Sequence, residues 1–239
     1  MNMLLQLLLN PAVLICSVIV AIFVYKNQQY KKGAYYQVTK NPYSSVKHDK
    51  GKYAEYLTYR SLCHFENSGG KFLFNIFIPK GRVETAEIDS LLICSKGLFV
   101  FECKNYSGWI FGNESQKNWT QTLPRGRGRS HKERFYNPIM QNASHIRHLK
   151  NLIGQNVPMH SIIVFSDRCT LKNITVKSDD IRVINHHNIA SVVAQIYTQT
   201  PTDVLSETEI NYIYGRLHPC TQFGYDVKKK HVENIREIF

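Results

Sequence analysis

The most extreme departure from mixed polarity comes first: from Met3 to Val24 nearly every residue is Leu, Ile, Val, Ala or Phe, uncharged, with Gln6, Asn10 and Ser17 as the strongly polar interruptions. At about 1.5 Å per residue such a helix spans a hydrocarbon layer of roughly 30 Å. No basic segment precedes it, unlike a cleaved signal peptide. Tyr25, Lys26, Lys31 and Lys32 follow it, with Tyr30, Tyr35 and Tyr36 within reach of the interface, a pattern that places the C-terminal side in the cytoplasm. Pro11 either kinks this helix or marks its lumenal end. The reading is a single-pass anchor over residues 1–25, in contact with the bilayer through residues 3–24, and a polar, Tyr- and Lys-rich tether over 26–48. A cytoplasmic domain over 49–200 follows, at the inner membrane in a bacterial cell, and then a helical tail over 201–239.

Beyond the tether the apolar period alternates between helix and strand. Gly51 to Phe65 sets Ala54, Leu57, Ser61 and Leu62 at helical spacing and is closed by Ser68-Gly69-Gly70. Lys71 to Ile78, Ile88 to Cys94 and Leu98 to Cys103 read as strands, the last two joined as a hairpin. Both faces of that hairpin are apolar, as in central strands covered on two sides. Trp109 to Gly112 and Trp119 to Thr122 read as short strands, and their two indoles as packing rather than base-stacking groups. Pro124 to Arg134 is rich in Gly and charge and is expected to be a mobile basic loop. Asn137-Pro138 opens a helix whose stripe is Ile139, Ile146, Leu149, Leu152 and Ile153. Ser161 to Phe165 and Ile181 to Ile184 are strands, Ile189 to Tyr197 is a helix, and Ser206 with Glu209 caps a last helix to Leu217. The order defines an α/β domain with a mixed central sheet flanked by helices.

The chain's 239 residues, 43% hydrophobic, suffice for one sizeable core. A formal net charge of +12 favours polyanionic partners. Between Lys117 and Lys150 eight Lys or Arg face the single acid Glu133, which makes this stretch the first choice for phosphate binding, through Arg125, Arg127, Arg129, Lys132 and Arg134. The six cysteines have no metal-site or disulfide spacing and suit a reducing compartment. His145 and His148 lie three apart, either as metal ligands or as a polar helix face.

One strand ends in charge: Gly97 to Asn105 reads GLFVFECKN. Burying Glu102 beside Lys104 costs several kcal/mol unless the charges are paired. If Lys96-Gly97 is a two-residue loop, Asp89 lies opposite Lys104, Leu91 opposite Glu102, and all three charges share a face. Glu102 is then diagonal to Asp89, near enough for both to hold one Mg²⁺ or Mn²⁺. A three-residue loop moves Asp89 to the other face unless a bulge restores the phase. The plain alternative is an ion pair at a frayed strand end.

The string Gly51-x-x-Ala54-Glu55, Ala86-Glu87-Ile88-Asp89, Gly97 through Gly108, Trp119 and Tyr136-Asn137-Pro138-Ile139-Met140-Gln141 resembles the nuclease-related (NERD) domain, a branch of the PD-(D/E)XK nuclease superfamily. The likeness is strong over Lys50 to Leu152 and looser over Ile162 to Ala194, and Ala54 stands where that family commonly has a second Gly. It implies a restriction-endonuclease-like fold and a Mg²⁺- or Mn²⁺-dependent nuclease. Carried over by position, Asp89, Glu102 and the Cys103 carbonyl are metal ligands, and Lys104 orients the attacking water and offsets charge on the pentacovalent phosphate. Glu55 is an outer ligand and Gln141 faces the site. Glu55 as a group favouring its helix N-terminus, and Gln141 as an ordinary first-turn residue, stand beside those roles. The function implied is a membrane-anchored nuclease cleaving nucleic acid, DNA first. The alternative is an inactive nuclease fold serving as a nucleic-acid-binding or membrane-associated interaction module. Oligomeric state is open.

Overall fold

The computed structural model describes residues 10–80, 84–126, 128–200 and 202–222. Helix α1, Pro11–Lys32, is capped by Asn10, whose side chain accepts the Ala12 amide at 2.9 Å, with Pro11 at its first position where no amide is needed. Pro11 therefore starts the described helix rather than kinking it. Among the described residues α1 alone is long and apolar enough to cross a membrane, and its side chains from Val13 to Tyr25 are exposed. Residues 3–9 lie outside the described residues.

The stretch expected as a polar tether is helical. α1 runs on to Lys32, and α2, Ala34–Thr39, and α3, Tyr43–His48, follow. Tyr30, Tyr35, Val38 and Val46 are buried in the main core. Tyrosine decides this: the rings of Tyr30, Tyr35, Tyr43 and Tyr56 meet edge to face or tilted at 5.1 to 6.4 Å, and Tyr35 reaches Phe74 at 4.8 Å. Side chains polar at one atom bury most of their surface.

α4, Lys50–Leu62, is capped by Asp49 and passes through a 3₁₀ turn to Gly69. The main sheet has the order β1-β2-β3-β7-β9, from Lys71–Lys80, Glu84–Cys94, Gly97–Lys104, Met159–Phe165 and Ile181–Asn185. β1, β2 and β3 are antiparallel neighbours, whereas β3, β7 and β9 run parallel. α4 and α5, Pro138–Ile153, cover opposite faces: on β3, Cys103 meets Thr58 of α4 while its neighbour Glu102 meets His145 of α5. That two-sided cover is why Leu98 to Phe101 are fully buried without alternation. α6, Ile189–Gln199, and α7, Glu207–Leu217, complete the core, α7 with the expected Ser206–Glu209 capping box.

A second sheet, β6-β5-β4-β8, grows from the first. Its strands are β4 Gly108–Asn113, β5 Asn118–Pro124, β6 Ser130–Tyr136 and β8 Cys169–Thr175. The parallel pair β3/β7 breaks at residues 105–107 and 166–168 and resumes as the parallel pair β4/β8. Ser166 donates its amide to the Lys104 carbonyl at the break, and Arg168 holds the Asn105 carbonyl and side chain at 3.0 and 2.6 Å. β8 was not expected from the sequence, since Cys169 is its one buried position and Leu171 and Ile174 are half-buried among polar residues at no strict alternation.

Two expectations are corrected here. The hairpin loop is Ser95-Lys96, with Cys94 paired to Gly97, so Leu91 faces Val100 instead of Glu102. Gly97 sits at φ 108°, and a Cβ there would lie 2.5 Å from the Pro158 carbonyl, so that residue belongs to the strand and the loop moves back by one. The segment expected as a mobile basic loop is a tight turn, with Arg125 and Arg129 amides donating to the Arg129 and Gly126 carbonyls, followed by the edge strand β6. Phe135 anchors that strand against Trp119, Tyr106 and Phe165, and its exposed charges are what an edge strand tolerates.

Candidate functional site

At the C-terminal end of β3 the two hairpin strands part. The last backbone pairing is Ser90 with Phe101; beyond it the Cys103 amide donates to Asp89 Oδ2 at 2.8 Å. The observed register differs from the expected one by two residues, which preserves the face: Asp89 and Glu102 share the side that Leu91 and Val100 define. Asp89 therefore lies one step along from the expected place, across from Glu102 rather than from Lys104.

Glu102 is 1% exposed, and its Oε1 accepts Lys104 Nζ at 2.7 Å. Lys104 also donates to Gln141 Oε1 at 3.0 Å, so the first turn of α5 does reach the site. Glu55, 7% exposed on α4, accepts Asn75 Nδ2 at 3.0 Å and the Tyr35 hydroxyl at 3.2 Å. It is thus a buried, hydrogen-bonded group, not a solvated first-turn acid.

Glu102 and Asp89 face the Lys104 ammonium while Glu55 faces Asp89, and their proton affinities register it. Burial, then the Glu102 charge, pushes Asp89 up to about 7, against Lys104 and the Cys103 amide. Burial, then the Asp89 charge, pushes Glu55 up to about 8, against the Asn75 and Tyr35 hydrogen bonds. Burial also raises Glu102 against the pull of Lys104. Burial disfavours the Lys104 ammonium, but the Glu102 and Asp89 charges outweigh it and hold lysine above its usual value. The Cys103 thiol is pushed well up by burial and by Asp89, which leaves its backbone as the chemically useful part.

Sequence reasoning did not place the polar groups that surround these charges. Asn75 lies across from Asp89, between the pairs Phe74–Ser90 and Ile76–Ile88, and holds a left-handed φ of 50°, a conformation asparagine tolerates. Tyr35 comes from the supposed tether. His145, offered by the sequence with His148 as metal ligand or polar helix face, is instead buried one turn after Gln141 and brings Nδ1 to 3.5 Å from Glu102 Oε2. Asn142 donates to the Val100 carbonyl and to Ser161 and ties α5 to β3 and β7. Asn137, fully buried, takes the Ile139 amide and donates to the Asn113, Glu114 and Gln116 carbonyls, so the Asn-Pro pair is a structural hinge between sheet and helix.

The donors suit an oxygen-ligated divalent cation. Glu102 Oε2 is buried and accepts no hydrogen bond among the described residues, and burial with neighbouring carboxylate charge raises Asp89 and Glu55, a load that a cation would relieve. No group of three His, Cys, Asp or Glu side chains converges on a metal position among the described residues. A cation here would take Asp89, Glu102 and the Cys103 carbonyl, with water and substrate completing its shell. Of the basic residues, Arg125, Arg129, Lys132 and Arg134 are exposed on the β5–β6 hairpin, whose tip lies where β4 begins; Arg127 lies outside the described residues.

A mixed α/β domain with buried carboxylates and a lysine at a parting hairpin is the architecture of a nuclease-like domain. The nuclease-related domain matches residues 50–166, and an uncharacterized protein of Bacillus anthracis is 32% identical over 191 residues, 80% of this chain and 85% of that protein. No solved structure matches. The chain belongs to the nuclease-related domain family, consistent with the PD-(D/E)XK superfamily.

Proposed function

We propose that this chain is a membrane-anchored, Mg²⁺- or Mn²⁺-dependent nuclease, with α1 in the bilayer and the domain on the cytoplasmic side. The observation that carries the reading is the meeting of Asp89 and Glu102, both buried, with Lys104 at the end of β3, with Glu55 next to Asp89. When bound, the divalent ion would supply Lewis acidity toward a phosphodiester oxygen and make a nearby water more acidic. Lys104, kept charged by its carboxylate neighbours and aimed by Gln141, places positive charge where the phosphate gains negative charge and orients the attacking water. Glu55 has its direction set by Asn75 and Tyr35 and acts beside Asp89 as an outer acid. Arg125, Arg127, Arg129, Lys132 and Arg134 supply sequence-independent phosphate binding to nucleic acid, DNA being the first substrate to try.

A second reading, a binding module without turnover, is favoured by one observation: Glu102 Oε1 is already satisfied by Lys104 at 2.7 Å. Two variants of the full chain separate the readings. Glu102→Gln keeps shape but removes the ligand charge, and is expected to abolish both metal-dependent cleavage and metal-induced thermal stabilisation. Lys104→Ala is expected to abolish cleavage and leave stabilisation in place. If the unchanged chain binds nucleic acid but cleaves no single- or double-stranded DNA or RNA with either ion, the binding module takes the nuclease's place.

A further inference from the structure

The second sheet has one face in the core and one in solvent. Two rows cross all four strands: Lys132, Thr122, Trp109, Thr170 and, two residues along, Arg134, Thr120, Phe111, Asn173. Residues paired across a sheet point to the same side. The row between them, Glu133, Gln121, Ile110, Leu171, points the other way, and Ile110 is fully buried against Trp119, Ile139 and Phe165. The outer rows are open at most positions: Trp109 is 42% exposed, Lys132, Arg134, Thr170 and Asn173 are exposed with it, Thr120 and Phe111 are half-buried, and Thr122 is buried between Lys132 and Trp109. A register shift between Ile110 and Phe111 inserts Lys172, whose Nζ sits 5.6 Å from the Trp109 ring centroid. The hairpin's acid, Glu133, belongs to the inward row, next to His131.

We infer that this outer face is a platform for single-stranded nucleic acid, with a base stacked on Trp109 and the backbone held by Lys132, Arg134 and Lys172. The inference rests on the nucleic-acid reading above and narrows its substrate class. Flat aromatic surface interleaved with cations is the combination that binds single strands without reading sequence. A duplex keeps its base faces stacked inside and leaves none for Trp109 to stack on. The charge also suits an anionic bilayer, but α2, which follows α1, sits beside β1 through Tyr35 against Phe74, while the Trp109 face lies beyond the ends of β3 and β7. Only residues 105–107 separate Lys104 from β4, so a strand held here is delivered to the neighbourhood of the carboxylates.

The test uses the full chain in phosphatidylcholine nanodiscs with a chelator, so that binding is read without cleavage. The other tryptophan, Trp119, is fully buried with its indole N–H on the Asn113 carbonyl, so quenching of tryptophan fluorescence by a short oligothymidylate reports Trp109. Trp109→Ala is expected to weaken oligothymidylate binding about tenfold, the loss of one stacked base. It should leave duplex affinity and the melting curve unchanged, and Trp109→Phe should restore most of the loss. Equal oligothymidylate affinity for parent and Trp109→Ala overturns the platform while leaving the nucleic-acid reading standing. A parent chain that binds neither single strand nor duplex overturns both. Trp109 fluorescence that responds to phosphatidylglycerol vesicles and not to the oligonucleotide assigns the face to lipid and overturns the proposal.

Discussion

Asp89 and Glu55 hold protons that the unfolded chain would have released. Their ordinary values are 3.8 and 4.5, and in the fold they rise to about 7 and about 8. The sign follows: their contribution to stability is complete below about pH 4 and is lost as pH climbs through 7 and 8. In a chelator the melting temperature should therefore fall between about pH 5 and pH 9, and Mn²⁺ should flatten that fall by compensating the carboxylates. Asp89→Asn still accepts the Cys103 amide but carries no charge, so at alkaline pH it should melt a few degrees above the parent in chelator, with no response to Mn²⁺. A parent melting temperature that climbs with pH would contradict the carboxylate geometry.

At the scale of elements, the break between the two sheets depends on Gly108. Its φ is 75°, and a Cβ there would lie 2.3 Å from the Thr122 carbonyl of β5. Gly108→Ala is expected to cost about 2 kcal/mol or more, read as a lower urea midpoint, because both strain and a backbone clash are introduced. The hairpin beyond it is tested electrostatically. Replacing Arg125, Arg127 and Arg129 by Gln should weaken binding of every nucleic acid alike and flatten the salt dependence by roughly 0.7 to 0.9 log units for each phosphate that is no longer neutralised. An unchanged slope would return these arginines to the role of a solvated edge.

For the whole molecule, the boundary between anchor and domain matters most. A fragment starting at Asp49 removes Tyr35 and Val46, both fully buried, and with Tyr35 one hydrogen bond to Glu55. It should melt well below a fragment starting at Lys26, which keeps the tyrosine cluster, since removing a core aromatic costs about 3–5 kcal/mol. Equal melting curves would make residues 26–48 a mere tether. Orientation is tested by a reporter fused after Phe239, which should be active in the cytoplasm because Lys26, Lys31 and Lys32 follow an uncharged start.

Much of this was legible along the chain because it is local. The apolar period drew the helices and central strands to within a few residues, Ser206 and Glu209 announced their cap, and alternation kept Asp89 and Glu102 on one face even though the loop was misplaced by one. Phase survives such an error since a shift of two residues restores the side. What only the tertiary structure decided depends on the meeting of distant segments. Tyr35 reaching Glu55, Asn75 beside Asp89, His145 beside Glu102 and the strand β8 leave no periodic mark in their own neighbourhoods. The basic run looked like a loop because its composition is that of one; it is a strand because β5 supplies the backbone partners and Phe135 the anchor. Trp109 and Trp119 are alike in sequence, and only the packing of the second sheet buries one and leaves the other in solvent.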